Sequence, residues 1–534
     1  LHARHQYHPQ LSAALLASLL IQPFLPAIGQ SQTAAPITSS GLNTTVTQSG
    51  TTFDITGGTR PGGGSNLFHS FGEFGVPTHH VANFLNDSGL ATSNILSRVT
   101  GGNPSNIFGT IQTTGFGGAN LFVMNPAGIV FGPNASLNVG GSVNFTTADY
   151  LRLGDGARFT ATPGTQDIAI SSAPVAAFGF LGSNPGAITV QGGHLGVAEG
   201  QGLSLVGGNI DIRSGLLENG SSQSARLSAP AGQINLVSAG STGEVTTTNA
   251  VAPSSNPAFQ GVTSLGSISL TQGTVMTASA QSAGRIVIRS GQFTMQDARL
   301  EAGTTGTLPN TASPVPVGEA ISIQADHIAL SQGAQILTSA IDGTAGNIAL
   351  EVGTLRSNIG TDGNSFIGVA PVTIASSSTG QGGPGSIFIH GKAGAPADSI
   401  LLSNTRIVTE VSHNAAPSAV PGNIDLTAQQ VELVNGTALR AGTTGGADAG
   451  AITLNLDTLK TQAGPDGRAS ISSDSNCGGQ CVGGQAGYIT IQGIPGVTPP
   501  STRLYRHVTT PDSEPNRAIT YYFSSDFDIK GTDI

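Results

Sequence analysis

Apolar residues alternate with small or polar residues in short runs along most of the chain, and many of these runs begin with glycine. A glycine, a variable residue and isoleucine open an alternating stretch again and again, as in GNIDI at 208 and GSIFI at 385. Alternation places the apolar side chains on one face of a strand. The glycines that open such stretches are Gly186, Gly208, Gly232, Gly266, Gly284, Gly346, Gly385, Gly422, Gly450 and Gly487. The pattern predicts a chain built from many short strands.

The apolar positions inside one repeat are regularly spaced. Ile321 is followed by Ile328 after seven residues and by Ile336 after eight more, and Ile348 begins the next repeat. Similar intervals link Ile188, Leu195 and Leu203; Ile210 and Leu217; Ile286 and Phe293; and Ile424, Val431, Leu439 and Ile452. One repeat therefore holds about three short strands joined by turns. The residues predicted to point into the core are Ile321, Ile328, Ile348, Ile424, Val431 and Ile452.

Such repeats need stacking, because a single coil cannot bury its own apolar face. Coils about 4.8 Å apart would bury each face under the next and pair every backbone N–H and C=O with a neighbouring coil. The sequence therefore predicts an all-β protein, a parallel β-helix. A β-sandwich is the alternative, but the series of two-residue hairpin turns that it needs is not seen.

The first third of the chain differs in composition, since it is rich in phenylalanine. Eleven of the 20 phenylalanines lie between Phe53 and Phe159. Because an open solenoid end exposes apolar surface and unpaired backbone, we expect an N-terminal cap here. We divide the chain into a cap region (30–185), β-helix repeats (186–495) and a tail without repeats (496–534).

The first 29 residues have the pattern of a signal peptide. A mildly basic start is followed by an uncharged apolar run at 11–28, and Ala27-Ile28-Gly29 fits a signal peptidase site. Pro23 and Pro26 interrupt the run, which is too short to span a bilayer. We expect export, with no integral membrane span after removal of residues 1–29.

Three long segments carry a family resemblance. Residues 65–77, 93–111 and 119–153 resemble, in the same order, the N-terminal domain of filamentous haemagglutinins, the exported partners of bacterial two-partner secretion. The resemblance implies a right-handed parallel β-helix and a secretion domain that extends to about residue 275. It also implies recognition by an outer-membrane transporter barrel, and a secreted or cell-surface location.

The resemblance also names candidate site residues. The family motif Asn-Pro-x-Gly-Ile, often with Asn at x, corresponds to residues 125–129, where Ala127 departs from it. A second motif, Asn-Pro-Asn-Leu, is absent, and its nearest counterpart begins at Asn103. The residues implied in transporter recognition are Asn125, Pro126, Gly128 and Ile129, with Asn103 and Pro104 as the weaker match. Alternatively both stretches are only turns, in which case Asp should replace Asn125 without loss.

Composition gives little sign of catalysis. The chain has no Trp, 5% aromatic residues and no recurring Asp/Glu pair on one strand face, so we expect neither an enzyme nor a cofactor. The adjacent His79 and His80 would point to opposite faces of a strand, which disfavours a metal site. A net charge of -10, with no cluster of Lys or Arg, argues against nucleic acid as a partner.

Cys477 and Cys481 are the chain's two cysteines. In an exported protein they are expected to form a small disulfide loop. The function favoured by the sequence is a secreted or surface-displayed adhesin with a host-surface or carbohydrate ligand. The alternatives are the delivery stalk of a truncated toxin or cytolysin, and a β-helical carbohydrate-active enzyme.

Overall fold

A computed structural model of the chain describes residues 36–164, 170–246, 256–306, 318–475 and 484–494, and the backbone of strands at 519–522 and 527–530. The expected signal peptide, the cysteine pair and the rest of the tail after residue 494 lie outside the described residues.

Short strands make up nearly all regular structure in the described ranges. The first are β1 (Thr38–Ser39), β2 (Thr44–Ser49), β3 (Thr52–Gly57), β4 (Asn66–Glu73), β5 (Val81–Leu85), β6 (Asn94–Val99), β7 (Ser105–Ile107), β8 (Thr110–Thr114), β9 (Asn120–Met124), β10 (Ile129–Phe131), β11 (Ser136–Asn138), β12 (Val143–Thr146), β13 (Tyr150–Leu153), β14 (Arg158–Thr160) and β15 (Val175–Phe180). The middle ones are β16 (Ile188–Gln191), β17 (His194–Gly196), β18 (Gly202–Gly207), β19 (Ile210–Arg213), β20 (Gly215–Leu216), β21 (Ser222–Gln223), β22 (Arg226–Ser228), β23 (Gln233–Ser238), β24 (Gly243–Thr246), β25 (Ala258–Gln260), β26 (Ser267–Leu270), β27 (Val275–Thr277), β28 (Arg285–Gln296) and β29 (Arg299–Thr304). The last are β30 (Glu319–Ser331), β31 (Gln335–Ala340), β32 (Asn347–Ser357), β33 (Val372–Ser378), β34 (Ile387–His390), β35 (Ala397–Ser403), β36 (Thr405–Val411), β37 (Ile424–Val434), β38 (Ala438–Thr443), β39 (Ile452–Gln462), β40 (Ser470–Ser475), β41 (Ile489–Gln492), β42 (Ile519–Tyr522) and β43 (Phe527–Lys530). Two short 3-10 turns lie at Pro61–Gly63 and Lys392–Gly394.

The strands form three parallel faces, and a complete coil contributes one strand to each. Face one contains β4, β6, β9, β12, β18, β23, β34, β41 and the first halves of β28, β30, β32, β37 and β39. Face two contains β7, β10, β16, β19, β26, β35 and the second halves of the same long strands. Face three runs from β3 through β5, β8, β11, β17, β22, β27, β29, β31, β33, β36 and β38 to β40. The predicted parallel β-helix with three strands per coil is confirmed.

The predicted core residues point inward. Ile321 pairs with Ile348 across face one, and Ile424 pairs with Ile452 further along it. The residues at most 1% exposed include all six of Ile321, Ile328, Ile348, Ile424, Val431 and Ile452. Each belongs to one continuous cluster that extends from Ile37 to Ile491.

The predicted link from Ile210 to Leu217 is wrong. Leu217 is only partly buried and follows β20, which pairs with β21 in a small antiparallel hairpin outside the coil. After the face-two strand that contains Ile210, the next strand of the coil is β22 on face three, where the core residue Leu227 pairs with Leu195. An inserted hairpin therefore carries an apolar residue at the interval expected of a core strand.

The glycine that opens many of the alternating stretches is needed because successive coils stack closely at the corner where it lies. Gly346, Gly385, Gly422, Gly450 and Gly487 all lie where the chain turns into face one. A Cβ on Gly450 would overlap the carbonyl oxygen of Gly422, and one on Gly422 would overlap that of Gly385. The variable residue also bonds the next coil, since Asn423 Oδ1 accepts a hydrogen bond from the Ala451 N–H at 2.9 Å. Gly186, Gly208 and Gly266 instead precede strands of face two, so one motif marks two corners and its spacing along the chain is uneven.

A second corner, between faces two and three, uses left-handed backbone at non-glycine residues. The φ angles lie between 42° and 52° at Asp297, Gln332, Asn358, Asn404 and Asn435. Asn tolerates this region because its side chain can hydrogen-bond locally. Here Asn358 Nδ2 donates to Asn404 O at 3.2 Å, in the following coil. Sequence reasoning missed this column, although a polar residue followed by glycine at 332–333 and 435–436 was a signal for it.

The phenylalanine-rich region builds two cores. Phe53, Phe71, Phe74 and Phe84 belong to the main core at its N-terminal end. A separate cluster on the outside of face one contains Phe68, Phe122, Phe159, Phe178 and Phe180. An antiparallel sheet of β14, β13, β15, β24 and β25 covers that cluster. The phenylalanines mark packing as expected, but three of those between residues 53 and 159, Phe68, Phe122 and Phe159, pack outside the helix.

Both ends of the solenoid are closed by antiparallel pairing. At the N-terminal end, β1 pairs with β4 and β2 pairs with β3, which forms the expected cap. At the other end, the backbone of β42 pairs with β40 and that of β43 with β39. These pairings occupy strand edges that would otherwise be open to another chain.

Replacing Gly450 with Ala is predicted to destabilise the protein by about 1–3 kcal/mol, because the new methyl group meets backbone that cannot rotate away. The matched control is Gly118→Ala, where a Cβ would have nothing within 4 Å. Urea unfolding of both variants measures the difference. Equal stability of the two would contradict the stacked-glycine explanation.

Ile424→Asp is predicted to lower the free energy of unfolding by on the order of 3–5 kcal/mol, since it removes a core side chain and buries a carboxylate. Gln430→Asp lies on the same strand at an exposed position and should be nearly neutral. Thermal melts of both variants provide the measurement. If Ile424→Asp melts with the parent, the inward register of β37 is incorrect.

Candidate functional site

Residues 125–128 form a tight turn between β9 and β10. The Gly128 N–H donates to Asn125 O at 3.1 Å, and the Ala127 N–H donates to Asn125 Oδ1 at 3.0 Å. Gly128 has a φ of 121°, which an L side chain rarely adopts. Proline fits the second position of the turn because its ring fixes φ. The turn thus follows directly from its residue types.

The Asn125 side chain is inside the protein. It is 0% exposed, and its Nδ2 donates to Asn103 O at 3.0 Å and to Ser105 Oγ at 2.9 Å. An Asp at this position would lose both donors and place a carboxylate against a carbonyl oxygen. The expectation that Asp would replace Asn125 without loss does not fit this geometry.

The two predicted motifs meet in space. Strand β7 pairs with β10, so that Ser105 lies beside Ile129 and the turn at 103–104 lies against the turn at 125–128. Asn103 and Pro104 are both exposed, and Asn103 Nδ2 donates to Glu73 Oε1 at 2.9 Å. Ile129 is 0% exposed and belongs to the main core. The six residues therefore divide into buried anchors and surface groups.

A third Asn-Pro turn continues the same column. β16 pairs with β10 from the other side, with Ile188 beside Ile129, and this places Asn184-Pro185-Gly186 against Pro126. Thr147 Oγ1 donates to Gly186 O at 2.7 Å and holds this turn. Sequence reasoning missed it, although the repeated Asn-Pro dipeptide was the signal. We call residues 103–104, 125–128 and 184–186 together the Asn-Pro corner.

The exposed part of the Asn-Pro corner can offer polar and apolar contacts to a partner. Asn103, Pro104 and Asn184 are exposed, and Pro126 and Pro185 are partly so. Carboxamides donate and accept hydrogen bonds, whereas proline rings present only carbon. The exposed groups of the corner are thus suited to noncovalent contacts.

The titratable groups with shifted pKa values lie far apart in the structure, and local burial or hydrogen bonding accounts for the shifts described next. Burial lowers the pKa of His69 to about 3, and this imidazole lies among Phe71, Phe84 and the Thr44 hydroxyl. Burial and a hydrogen bond to Glu244 raise the pKa of Tyr150. Burial also raises the pKa of Asp425, far along the solenoid. These groups do not assemble into a catalytic arrangement.

The paired histidines do not form a metal centre with other ligands. His79 has a φ of 63° and its Nε2 lies 3.6 Å from Glu218 Oε2, with both side chains largely exposed. The His80 Nδ1 is 3.0 Å from Thr78 O. Among the residues that the structure describes, no group of three His, Cys, Asp or Glu side chains could hold a metal ion. None of the described helical segments is long and apolar enough to cross a membrane.

A protein-family comparison matches the N-terminal half of the chain to a known type of domain. Residues 32–294 match the model of the family described as the TPS secretion domain, where TPS denotes two-partner secretion. The matched range contains the whole Asn-Pro corner and the sheet outside face one. A search of curated proteins found no match.

Solved structures give a likeness in fold. The crystal structure of the HMW1 secretion domain from Haemophilus influenzae aligns with a TM-score of 0.52 at 14% identity, over 80% of this chain and 96% of that one. The crystal structure of the filamentous hemagglutinin secretion domain aligns with a TM-score of 0.32 at 14% identity, over 70% of this chain and 97% of that one. The fold is the right-handed parallel β-helix of such secretion domains.

Burial of neutral His69 predicts a pH-dependent stability of the N-terminal end. Its pKa falls from an ordinary 6.5 to about 3 on folding, so the unfolded chain takes up a proton first as the pH is lowered. The stabilisation is complete above pH 6.5 and is lost as the pH falls toward 3, by about 2 kcal/mol between pH 7 and pH 5. Urea unfolding of the parent and of His69→Gln at both pH values isolates this contribution.

The control for this pH series is His79→Gln, whose imidazole is exposed. The pH dependence of His69→Gln should be flatter than that of His79→Gln, because only His69→Gln removes the buried imidazole. Identical pH dependence in all three proteins would mean that folding does not lower the pKa of His69.

Proposed function

We propose that this chain, whose residues 32–294 are a secretion domain of the filamentous haemagglutinin family, is an adhesin-like exoprotein that a two-partner transporter carries across the outer membrane. The family match carries the proposal, because a TPS secretion domain characterises exoproteins that have a cognate outer-membrane transporter. The chain would pass through the periplasm and end in the medium or on the cell surface.

The solenoid supports an adhesive role by its surface. After residue 294, described coils continue through 318–475, with polar and small side chains alternating outward from the buried isoleucines, leucines and valines. Quasi-one-dimensional solenoids present extended surfaces on which many weak contacts can add up. A host-surface protein or carbohydrate is the proposed class of ligand.

The other two functions have less support. The families and structures matched are secretion domains and not enzymes, and the described residues with shifted pKa values lie apart from one another. A toxin stalk would carry a separate effector, and the described ranges form only the coils with the strands that close their ends, the sheet outside face one and the small hairpin of β20 and β21. Neither alternative is favoured by a specific contact.

Expression of the full chain in a Gram-negative host, with and without its cognate transporter, tests the export. We expect the chain in the medium or on the surface only when the transporter is present, and in the periplasm when it is absent. Fractionation and immunoblotting, with a periplasmic marker as the control for leakage, measure the distribution. Equal appearance outside cells that lack the transporter would contradict the proposal.

The same two strains test the adhesive part. Cells with the transporter should adhere to an epithelial monolayer more than cells without it, and antibody against the chain should abolish the difference. Release of reducing sugars from polysaccharides by the exported chain, without adherence, would favour the enzyme instead.

A further inference from the structure

We propose that the outer side of face one binds an extended, uncharged glycan between Phe388 and Tyr488. The residues that form this surface, together called the glycan strip, are Glu351, Phe388, His390, Asp425, Thr453 and Tyr488. The inference rests on the proposed function and deepens it, because it chooses between the two proposed classes of adhesive ligand and locates the contact.

Strand pairing fixes the positions of these residues. The strip lies beyond the antiparallel sheet, whose apolar cluster on this face ends at β23. Phe388 pairs with Asp425, which in turn pairs with Thr453 in the following coil. His390 lies two residues along the same strand as Phe388 and pairs with Glu351 in the preceding coil. Given the spacings of strands and of alternate residues, the Glu351 and Asp425 backbones both lie within about 9 Å of that of Phe388.

Aromatic side chains lie at both ends of the strip. Phe388 is partly exposed on β34, and Tyr488 is 75% exposed directly before β41. The backbone of Tyr488 is held in the stack, since its carbonyl oxygen accepts from the Ile452 N–H at 2.8 Å. The two rings are three coils apart, or about 14 Å along the solenoid. The negative face of an aromatic ring attracts the polarised C–H groups of a sugar ring, so two rings at this separation suit a chain of several sugar units.

Hydrogen-bond acceptors surround the ring of Phe388. Burial raises the pKa of the Asp425 carboxyl, and no cation among the described residues pairs with it. Glu351 Oε2 accepts from Gln324 Nε2 at 3.0 Å, whereas Oε1 has no partner among the described residues. The His390 Nδ1 donates to Gly391 O at 2.7 Å, which makes Nε2 of the neutral imidazole an acceptor. Sugar hydroxyl groups donate to such acceptors, most strongly to carboxylates.

The charge of the strip disfavours acidic sugars. A bound carboxylate or sulfate would lie beside the two carboxylates of the strip, and like charges at short distance repel. The Arg289 guanidinium, two coils earlier on this face, is 5% exposed and donates to both the carbonyl oxygen and the hydroxyl of Ser322 at 3.0 Å. Lys392, which follows β34, forms an ion pair with Asp326. The cations near the strip therefore already have partners, and a ligand without charge fits best.

The width of the strip favours a glycan over a protein. Face one is only four residues wide at β34 and at β41. Stable protein interfaces bury about 800 Å² on each partner around an apolar centre. Here the residues between the two rings, Asp425 and Thr453, are polar. A sugar chain laid across the coils needs neither the area nor the apolar centre.

Binding of the purified full chain to immobilised glycans tests the strip. The uncharged probes are cellotetraose, maltotetraose and lacto-N-tetraose, and the acidic probes are sialylated lacto-N-tetraose and a heparin tetrasaccharide. We expect the parent to bind at least one uncharged probe, and to bind it more tightly than either acidic probe. Tyr488→Ala and Phe388→Leu should each weaken this binding about tenfold with unchanged melting, because leucine keeps the apolar packing and lacks the aromatic face.

Phe366→Ala is the matched control, since Phe366 is 39% exposed in the loop between β32 and β33, away from the strip. It should bind like the parent. Absence of binding to every uncharged probe, preference for an acidic probe, or parental affinity of either Tyr488→Ala or Phe388→Leu overturns the inference.

Asp425→Asn tests the selection by charge. The ratio of binding to the best uncharged probe over binding to the sialylated probe should fall severalfold, because one of the repelling carboxylates is gone. Glu410→Gln is the control, since Glu410 is a partly exposed carboxylate on face three, and it should leave the ratio unchanged. An unchanged ratio in Asp425→Asn would show that this carboxylate does not select the ligand.

The adhesion assay distinguishes the two levels of the proposal. If the parent is not exported or does not adhere, the proposed function fails. If the parent adheres and exported Tyr488→Ala adheres equally well, only the inference about the strip fails. Adherence that survives enzymatic removal of glycans from the monolayer would identify a host protein as the ligand and would also overturn the inference alone.

Discussion

Backbone pairing between successive coils is the interaction on which the rest of this structure depends. It fixes the coils one strand spacing apart, and at that distance a corner has no room for a Cβ where Gly422 and Gly450 stack. It also brings polar side chains within reach of the next coil, as with Asn423 and the Ala451 N–H. The close spacing of paired coils therefore explains why glycine and asparagine occur at the corners and why isoleucine occurs between them.

The Asn-Pro corner uses the same pairing for a different result. The corner lies between faces one and two. In its third coil the chain leaves the helix after β12, forms β13, β14 and β15 outside it, and returns at β16. The excursion folds back over Phe68 and Phe122, so the outer side of face one is covered while the corner beside it stays open. The hydrogen bonds of the buried Asn125 hold the turns of this corner together, and they thereby set the positions of its exposed residues.

The inward register could be predicted from sequence because strand alternation leaves only one way to bury Ile321, Ile328 and Ile336 together. The face to which each strand belongs could not be predicted from sequence. The same Gly-x-Ile pattern precedes a strand of face one at Gly422 and a strand of face two at Gly208. Leu217 shows the limit of counting intervals, because a hairpin insertion is invisible to a seven-residue spacing. The burial of Asn125 depends on its contacts with Asn103 and Ser105 in another coil, which no local pattern contains.

The excursions from the helix have an evolutionary consequence. The segment between β12 and β16 leaves one corner and re-enters the stack in register, with Ile188 directly over Ile129. Such a segment must satisfy the stack at its two ends and cover the apolar cluster outside face one, and the remainder of its length and content can change while the coiled core stays the same. A lineage of such proteins can therefore lengthen or replace the outer loops of these segments and keep the scaffold that holds them.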